Sequence, residues 1–241
     1  MRLVTKLLYG FYAAGLFMAV TLLAILVMAL LPGLSRRRRV AQAGARAFLR
    51  LAGMPLTVEG LERLPAGPCI VVANHASYID GLVFTAALPP RFGFVIKREM
   101  ASVPLAGFLL NRIGSQFMAR DKAGQTTMDA RRVMRSAESG HSMVFFPEGT
   151  FSEDPGLLRF HLGAFATAQR AGCPVVPAII HGSRVALSPR GVLPHPARLR
   201  IEILEPVIPT ALDGNEAVAA LCRQARNAIL GKLQEPDREA A

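Results

Sequence analysis

Hydrophobic and polar positions follow one rhythm in the N-terminal part of this chain and another beyond it. Residues 7–31, LLYGFYAAGLFMAVTLLAILVMALL, run for 25 positions without a charge and are closed by Pro32 and Gly33. At about 1.5 Å per residue, such a helix reaches roughly 37 Å, enough to cross a hydrocarbon core of about 30 Å with some tilt. Next, Val40, Ala43, Ala47, Phe48 and Leu51 recur at helical spacing up to Gly53, a helix terminator. After that the apolar stretches shorten and become β-branched: CIVVA (69–73), GFVI (93–96), MVFF (143–146) and PVVPAII (174–180). These read as buried strands, separated by helical segments such as residues 126–139. LRIEIL (199–204) alternates and reads as a late, edge-type strand, and Val218, Leu221, Ala225, Ile229 and Leu233 line one face of a closing helix over about 215–234.

This alternation predicts an α/β fold: a mixed, largely parallel sheet covered by helices, preceded by an N-terminal membrane-anchoring helix. The expected organisation is an anchor at 1–35, a basic amphipathic connecting helix at 36–56 and one catalytic-sized domain at 57–241. The apolar segment is too long for a signal-peptide core of about 7–15 residues. It reads as an uncleaved span, with a helix lying in the membrane interface as the alternative.

Charge sharpens this picture. The net charge is +11, yet eight of the 28 lysines and arginines and none of the 17 acids precede Glu59. Basicity therefore belongs to the membrane-proximal part, which argues against a nucleic-acid-binding face. Arg36 to Arg39, with Arg46 and Arg50, outnumber Arg2 and Lys6 across the apolar segment, so the positive-inside bias puts the domain in the cytoplasm. Those arginines also suit anionic lipid headgroups. Cys69, Cys173 and Cys222 lack the spacing of a zinc site or a disulfide framework, and no ligand cluster for a metal or redox cofactor stands out.

The densest polar cluster, VVANHASYIDG at 71–81, follows a buried strand. Strand C-terminal ends are where α/β sheets bind ligands. Ser77 followed by Asp80 fits a helix start, with the serine as cap and the acid in the first turn. That leaves His75, which is either structural or a base held by Asp80 to take a proton from a hydroxyl. FFPEGTFS at 145–152 repeats the arrangement: a strand, then a turn with an acid, Glu148, and backbone amides able to face an anion. In GSQFMAR, Arg120 follows Gly114 by six positions and offers a fixed cation for a phosphate.

In this order the stretches resemble the membrane glycerolipid acyltransferases of the 1-acylglycerol-3-phosphate acyltransferase type. NHASYID is similar to the family's Asn-His-x-x-x-x-Asp block, GSQFMAR to its Gly-to-Arg block, FPEGT to its third block and VVPAII to its fourth. Residues 97–114, KREMASVPLAGFLLNRIG, look like the segment between the first two blocks, and the likeness covers about 57–185.

The resemblance implies that His75 is the general base and Asp80 orients its ring. Arg120, Glu148, Gly149 and Thr150 would bind the acceptor's phosphate and glycerol. The stretch 175–180 would support the acyl side of the site or serve as an ordinary core strand. Implied partners are membrane lipids, a lysophospholipid acceptor and acyl-CoA or acyl carrier protein as thioester donor, with no cofactor or metal.

Ser77 is not a nucleophile, because no GxSxG elbow surrounds it. The chain departs from the family at Ala119, where an acid often precedes the arginine, at Phe151, where an arginine is usual, and at His161. These departures keep lyso-ornithine lipid and other lysophospholipids open as acceptors. A membrane-anchored lipid-binding module is the reading from outside enzymology.

Overall fold

The β-branched runs extend because their side chains have a helical layer to bury against on each side of the sheet. A computed structural model describes residues 3–119, 123–210 and 214–239. In chain order the elements are α1 (Leu3–Leu30), α2 (Leu34–Leu51), β1 (Leu56–Glu59), β2 (Ile70–Ala73), α3 (Asp80–Ala87), β3 (Phe92–Lys97), α4 (Ala106–Arg112), β4 (Gln116–Met118), α5 (Ala123–Glu138), β5 (Ser142–Phe145), α6 (Gly163–Ala171), β6 (Val175–His181), α7 (Ser183–Ala186), β7 (Leu199–Ile203) and α8 (Asn215–Leu233). The strands form one sheet in the order β1-β7-β6-β2-β5-β3-β4. All pairings are parallel except β6 with β7. The expected mixed, largely parallel α/β sheet is thus observed.

Alternate residues of the central strands feed two cores. Val71 and Ala73 of β2, Val144 of β5 and Val176 of β6 join Phe48, Leu49, Val83 and Phe84 from α2 and α3. Ile70, Val72, Met143 and Ile179 point the other way, toward Val133, Phe165, Leu221 and Ile229 of α5, α6 and α8. Strands buried on both faces read as unbroken apolar runs, which is why they were visible in the sequence.

Two strands were not expected, and one was misplaced. β1 and β4 span only 4 and 3 residues and lack an apolar run, so no pattern announces them. β7 is not an edge strand: it pairs with β6 on one side and β1 on the other.

The N-terminal helices correct the sequence reading further. α2 spans Leu34–Leu51 where a connecting helix over 36–56 was expected, and Phe48 and Leu49 sit in the core of the domain. Arg38 is 8 % exposed, donating from Nε to Ile113 O at 2.9 Å and from Nη1 to Arg91 O at 2.6 Å. Burial pushes its pKa down. It pins α2 to the sheet instead of facing headgroups, while Arg36 and Arg39 are exposed. Gln42 and Arg46 donate to the carbonyls of Leu88 and Ala86, satisfying the C-terminal end of α3.

α1 is long and apolar enough to cross a membrane by length and composition. It turns at Pro32 and Gly33, whose φ of 84° suits glycine, and runs back along α2. Phe17 meets Phe48 edge-on at 5.5 Å. Tyr9 and Tyr12 donate to Ala52 O and Leu51 O at 2.8 and 3.1 Å, and Arg112 donates to the carbonyls of Met28 and Ala29. The opposite face, including Leu8, Phe11, Leu23 and Leu26, is exposed.

Candidate active site

β2 and β5 are neighbours in parallel register, Val72 beside Phe145, so the turns after them meet at one end of the sheet. Asn74 makes the exit from β2 possible. Its side-chain amide donates to Ile180 O at 3.1 Å, and its carbonyl accepts from Ile180 N at 2.8 Å. A side chain thereby continues the ladder to β6 after the β2 backbone has turned away, satisfying both peptide groups of Ile180.

His75 follows, with its ring 18 % exposed. Nδ1 lies 2.8 Å from Asp80 Oδ2, which also accepts the backbone N–H groups of Ala76 at 2.7 Å and Ser77 at 2.9 Å. Those amides can only donate, so Oδ2 is an acceptor and Nδ1 carries the hydrogen, leaving the lone pair on Nε2. Among the described residues Nε2 has no hydrogen-bond partner. Asp80 is fully buried in the first turn of α3.

This geometry corrects the capping assignment. Ser77 does not cap the helix; its Oγ donates to Leu187 O at 2.6 Å, tying the turn to the loop before β7. Asp80 reaches back to collect the amides itself.

Aromatic rings wall the imidazole. Phe146 stacks on His75 at 4.4 Å and 19°, Phe151 meets it edge-on at 4.4 Å and 75°, and Tyr78 packs on Phe151 at 4.8 Å. Sequence reading passed over these rings except for Phe151, noted there only as a departure. Their spacing carries no periodic signal, although all three lie within or beside the polar clusters.

Glu148 is 4 % exposed, and both its oxygens are engaged by backbone: Oε1 accepts His75 N–H at 2.6 Å and Oε2 accepts Leu158 N–H at 2.9 Å. Burial pushes its pKa up to about 7, against those two hydrogen bonds, with Glu235 raising it further and Arg184 lowering it. Glu148 thereby braces two turns, one after β2 and one leading to Leu158. Gly149 adopts φ 73°, and its N–H closes the turn onto Phe146 O at 3.0 Å. Thr150 is exposed.

Arg120 lies outside the described residues. The chain entering it is held by Asp129, 1 % exposed, whose Oδ2 accepts Ala119 N–H at 2.9 Å and Arg98 Nε–H at 3.1 Å. Neither Asp129 nor Arg98 was singled out from the sequence, where they stand 31 residues apart. Among the described residues, no group of three or more His, Cys, Asp or Glu is placed to hold a metal ion. The three cysteines are buried and unbridged, and burial pushes the Cys173 and Cys222 thiols up to about 11.

Residues 55–181 match the family described as Acyltransferase. A chloroplastic 1-acyl-sn-glycerol-3-phosphate acyltransferase of Brassica napus is 32% identical over 71% of this chain and 49% of its own length. The chain thus spans about half the length of that relative. A lyso-ornithine lipid O-acyltransferase of Pseudomonas aeruginosa is 31% identical over 74% of this chain and 72% of its own length. Among solved structures, the 1-acyl-sn-glycerophosphate acyltransferase of Thermotoga maritima superposes with a TM-score of 0.76 at 22% identity, covering 96% of this chain and 99% of that one.

Proposed function

The chain belongs to the acyltransferase family, and we propose that it moves a fatty acyl group from acyl-CoA or acyl carrier protein to the free hydroxyl of a lysophospholipid. The proposed acceptor is 1-acylglycerol 3-phosphate, giving phosphatidic acid. The observation that carries this reading is the 2.8 Å contact of His75 Nδ1 with the buried Asp80 carboxylate, which leaves Nε2 as the ring's proton acceptor.

The chemistry follows from that tautomer. Nε2 takes the proton of the acceptor hydroxyl as its oxygen attacks the thioester carbonyl, and the imidazolium formed is stabilised by Asp80. The tetrahedral adduct collapses with C–S cleavage, and the proton on Nε2 passes to the departing thiolate. A C–O bond replaces a C–S bond, with no acyl-enzyme and no change in oxidation state. Glu148 fixes the His75 backbone from behind, and Phe146 and Phe151 restrict the ring to one plane. Arg120 is assigned to the acceptor's phosphate, whose oxygens a guanidinium meets with two parallel donors.

Membrane association rests on α1, with its exposed apolar face turned to lipid. Because contacts from Tyr9 to Ala29 hold α1 along the domain, we place it in the interface of the cytoplasmic leaflet rather than across the bilayer.

A second reading keeps the same catalytic pair and exchanges the acceptor for lyso-ornithine lipid. It is favoured by the Pseudomonas relative and by Phe151, where the resemblance expects arginine. The deciding experiment presents purified protein in vesicles with each lyso-acceptor and each thioester donor, with His75→Ala as control. Preference for 1-acylglycerol 3-phosphate supports the first reading, preference for lyso-ornithine lipid the second, and no His75-dependent transfer to any acceptor overturns both.

A further inference from the structure

The segment following α8 is woven into the loop that carries Phe151. α8 ends at Leu233, and Gln234 turns the chain back with φ 58°. Glu235 Oε2 then accepts Gly156 N–H at 2.6 Å, Leu157 N–H donates to Pro236 O at 2.9 Å, and Arg238 N–H donates to Leu157 O at 3.0 Å. The result is a single parallel bridge between Leu157 and Asp237, with Leu157 fully buried beneath it. Arg226 of α8, 5 % exposed, clasps Asp237 and also donates to Leu157 O at 3.1 Å.

Glu235 has a second partner. Its Oε2 lies 3.3 Å from Arg184 Nη2, and the other Nη of Arg184 donates to the carbonyl of Ser152, the residue after Phe151. Both side chains are mostly buried, at 26 % and 18 % exposure, so the pair is shielded from bulk water and directional. One carboxylate thereby fixes the loop at two places, directly at Gly156 and through Arg184 at Ser152. Phe151, the residue before Ser152, packs its ring edge-on against His75.

We propose that Glu235, with Arg184, is a positioning residue that holds the Phe151 loop against His75 and so sets the orientation of the imidazole. This inference rests on the assignment of His75 as the base. Nothing in the residues themselves touches substrate; the effect passes through Phe151. Loss of the clamp leaves His75 tied to Asp80 and backed by Phe146 but free to tilt toward the vacated side, and sub-ångström misplacement of a base lowers turnover without altering acceptor binding.

The test combines kinetics with a signal independent of turnover. Glu235→Gln keeps shape and removes charge; it should lower kcat by about tenfold while acceptor KM and the thermal midpoint hold. Phe151→Ala should lower kcat as well, and the double variant should be no slower than Phe151→Ala alone, because both act through one ring. In histidine-labelled protein in detergent micelles, the His75 ring signal is identified among five histidines by its loss in His75→Ala. Phe151→Ala should move it by removing the ring-current field, and Glu235→Gln should move it in the same direction. Should Glu235→Gln not fold, Arg184→Gln breaks the same bridge from α7 and carries the same expectations. A His75 signal unmoved by loss of the bridge overturns the clamp whatever the activity, as do kcat losses that multiply in the double variant. Retained turnover in His75→Ala would instead remove the base assignment, and the ring signal would still decide the clamp.

Discussion

The backbone N–H of His75 donates at 2.6 Å to Glu148, 73 residues further along the chain, while the ring of the same histidine donates to Asp80. The proposed base is thus held by two carboxylates with different tasks: Asp80 selects the tautomer and Glu148 fixes the main chain from which the ring projects.

Removing the base should be decisive. His75→Ala is expected to lower acyl transfer by about 100- to 10,000-fold, the usual contribution of a positioned general base, with little loss of stability for a ring that is partly exposed. Asp80→Asn keeps the volume but presents either an amide oxygen, which still accepts, or an amide nitrogen, which faces three donors. Turnover should fall by a similar order, with some loss of stability from unsatisfied amides. Steady-state kinetics beside thermal unfolding separates the two effects.

Glu148→Gln should cost about 1–3 kcal/mol, because an amide side chain has one oxygen where two backbone N–H groups need two. Its pH signature has a definite sign. The folded value of about 7 stands above the ordinary 4.5, so between those values the folded protein keeps a proton that the unfolded chain has lost. This group's stabilising contribution is complete below about pH 4.5 and lost as pH rises through 7, with a slope of at most about 1.4 kcal/mol per unit. Denaturant unfolding across that window should show the slope in the wild type and its absence in Glu148→Gln.

For the membrane, an interfacial α1 predicts that tags placed before Leu3 and after Glu239 lie on the same side. In inverted vesicles, with the cytoplasmic face outward, protease should remove both. Protection of the first tag alone would make α1 a span. Truncation up to Pro32 should leave Phe48 uncovered and lower stability by about 1–3 kcal/mol, beyond any loss of attachment.

Arg120→Ala should raise the KM for 1-acylglycerol 3-phosphate by roughly tenfold or more, with smaller effect on a phosphate-free acceptor, since a charge-assisted bidentate contact contributes about 1.5–3 kcal/mol. Asp129→Asn should produce a milder version of the same shift. Asp129 holds Ala119, the residue immediately before Arg120, and loses part of its grip on Arg98. Equal effects on both acceptors would make Arg120 structural.

Much of this was legible in the chain itself. The central strands could be read because burial on both faces demands continuous apolar residues, α1 because 25 residues run without a charge, and α8 because helical burial repeats at a fixed spacing. His75 and Asp80 could be paired because both lie within one turn and the start of one helix, so local geometry alone brings them together. The same local information misassigned Ser77, whose hydroxyl donates to Leu187 O and accepts only the Ile79 N–H ahead of the helix, at 3.4 Å. It also left Arg36 to Arg39 looking alike, although only the register of α2 against β3 and α4 determines that Arg38 turns inward.

What tertiary structure decided was every contact made across the sheet. Parallel pairing of β2 with β5 sets their two exit turns side by side, and only then can Glu148 reach the His75 amide and Phe146 cover its ring. The return of the chain after α8 brings Glu235 to the loop of Phe151 in the same way. Hydrophobic periodicity reports which face of an element is buried, a property of near neighbours in sequence. Strand order and register are set by hydrogen bonds and packing between residues far apart in the chain, and they leave no periodic trace in it.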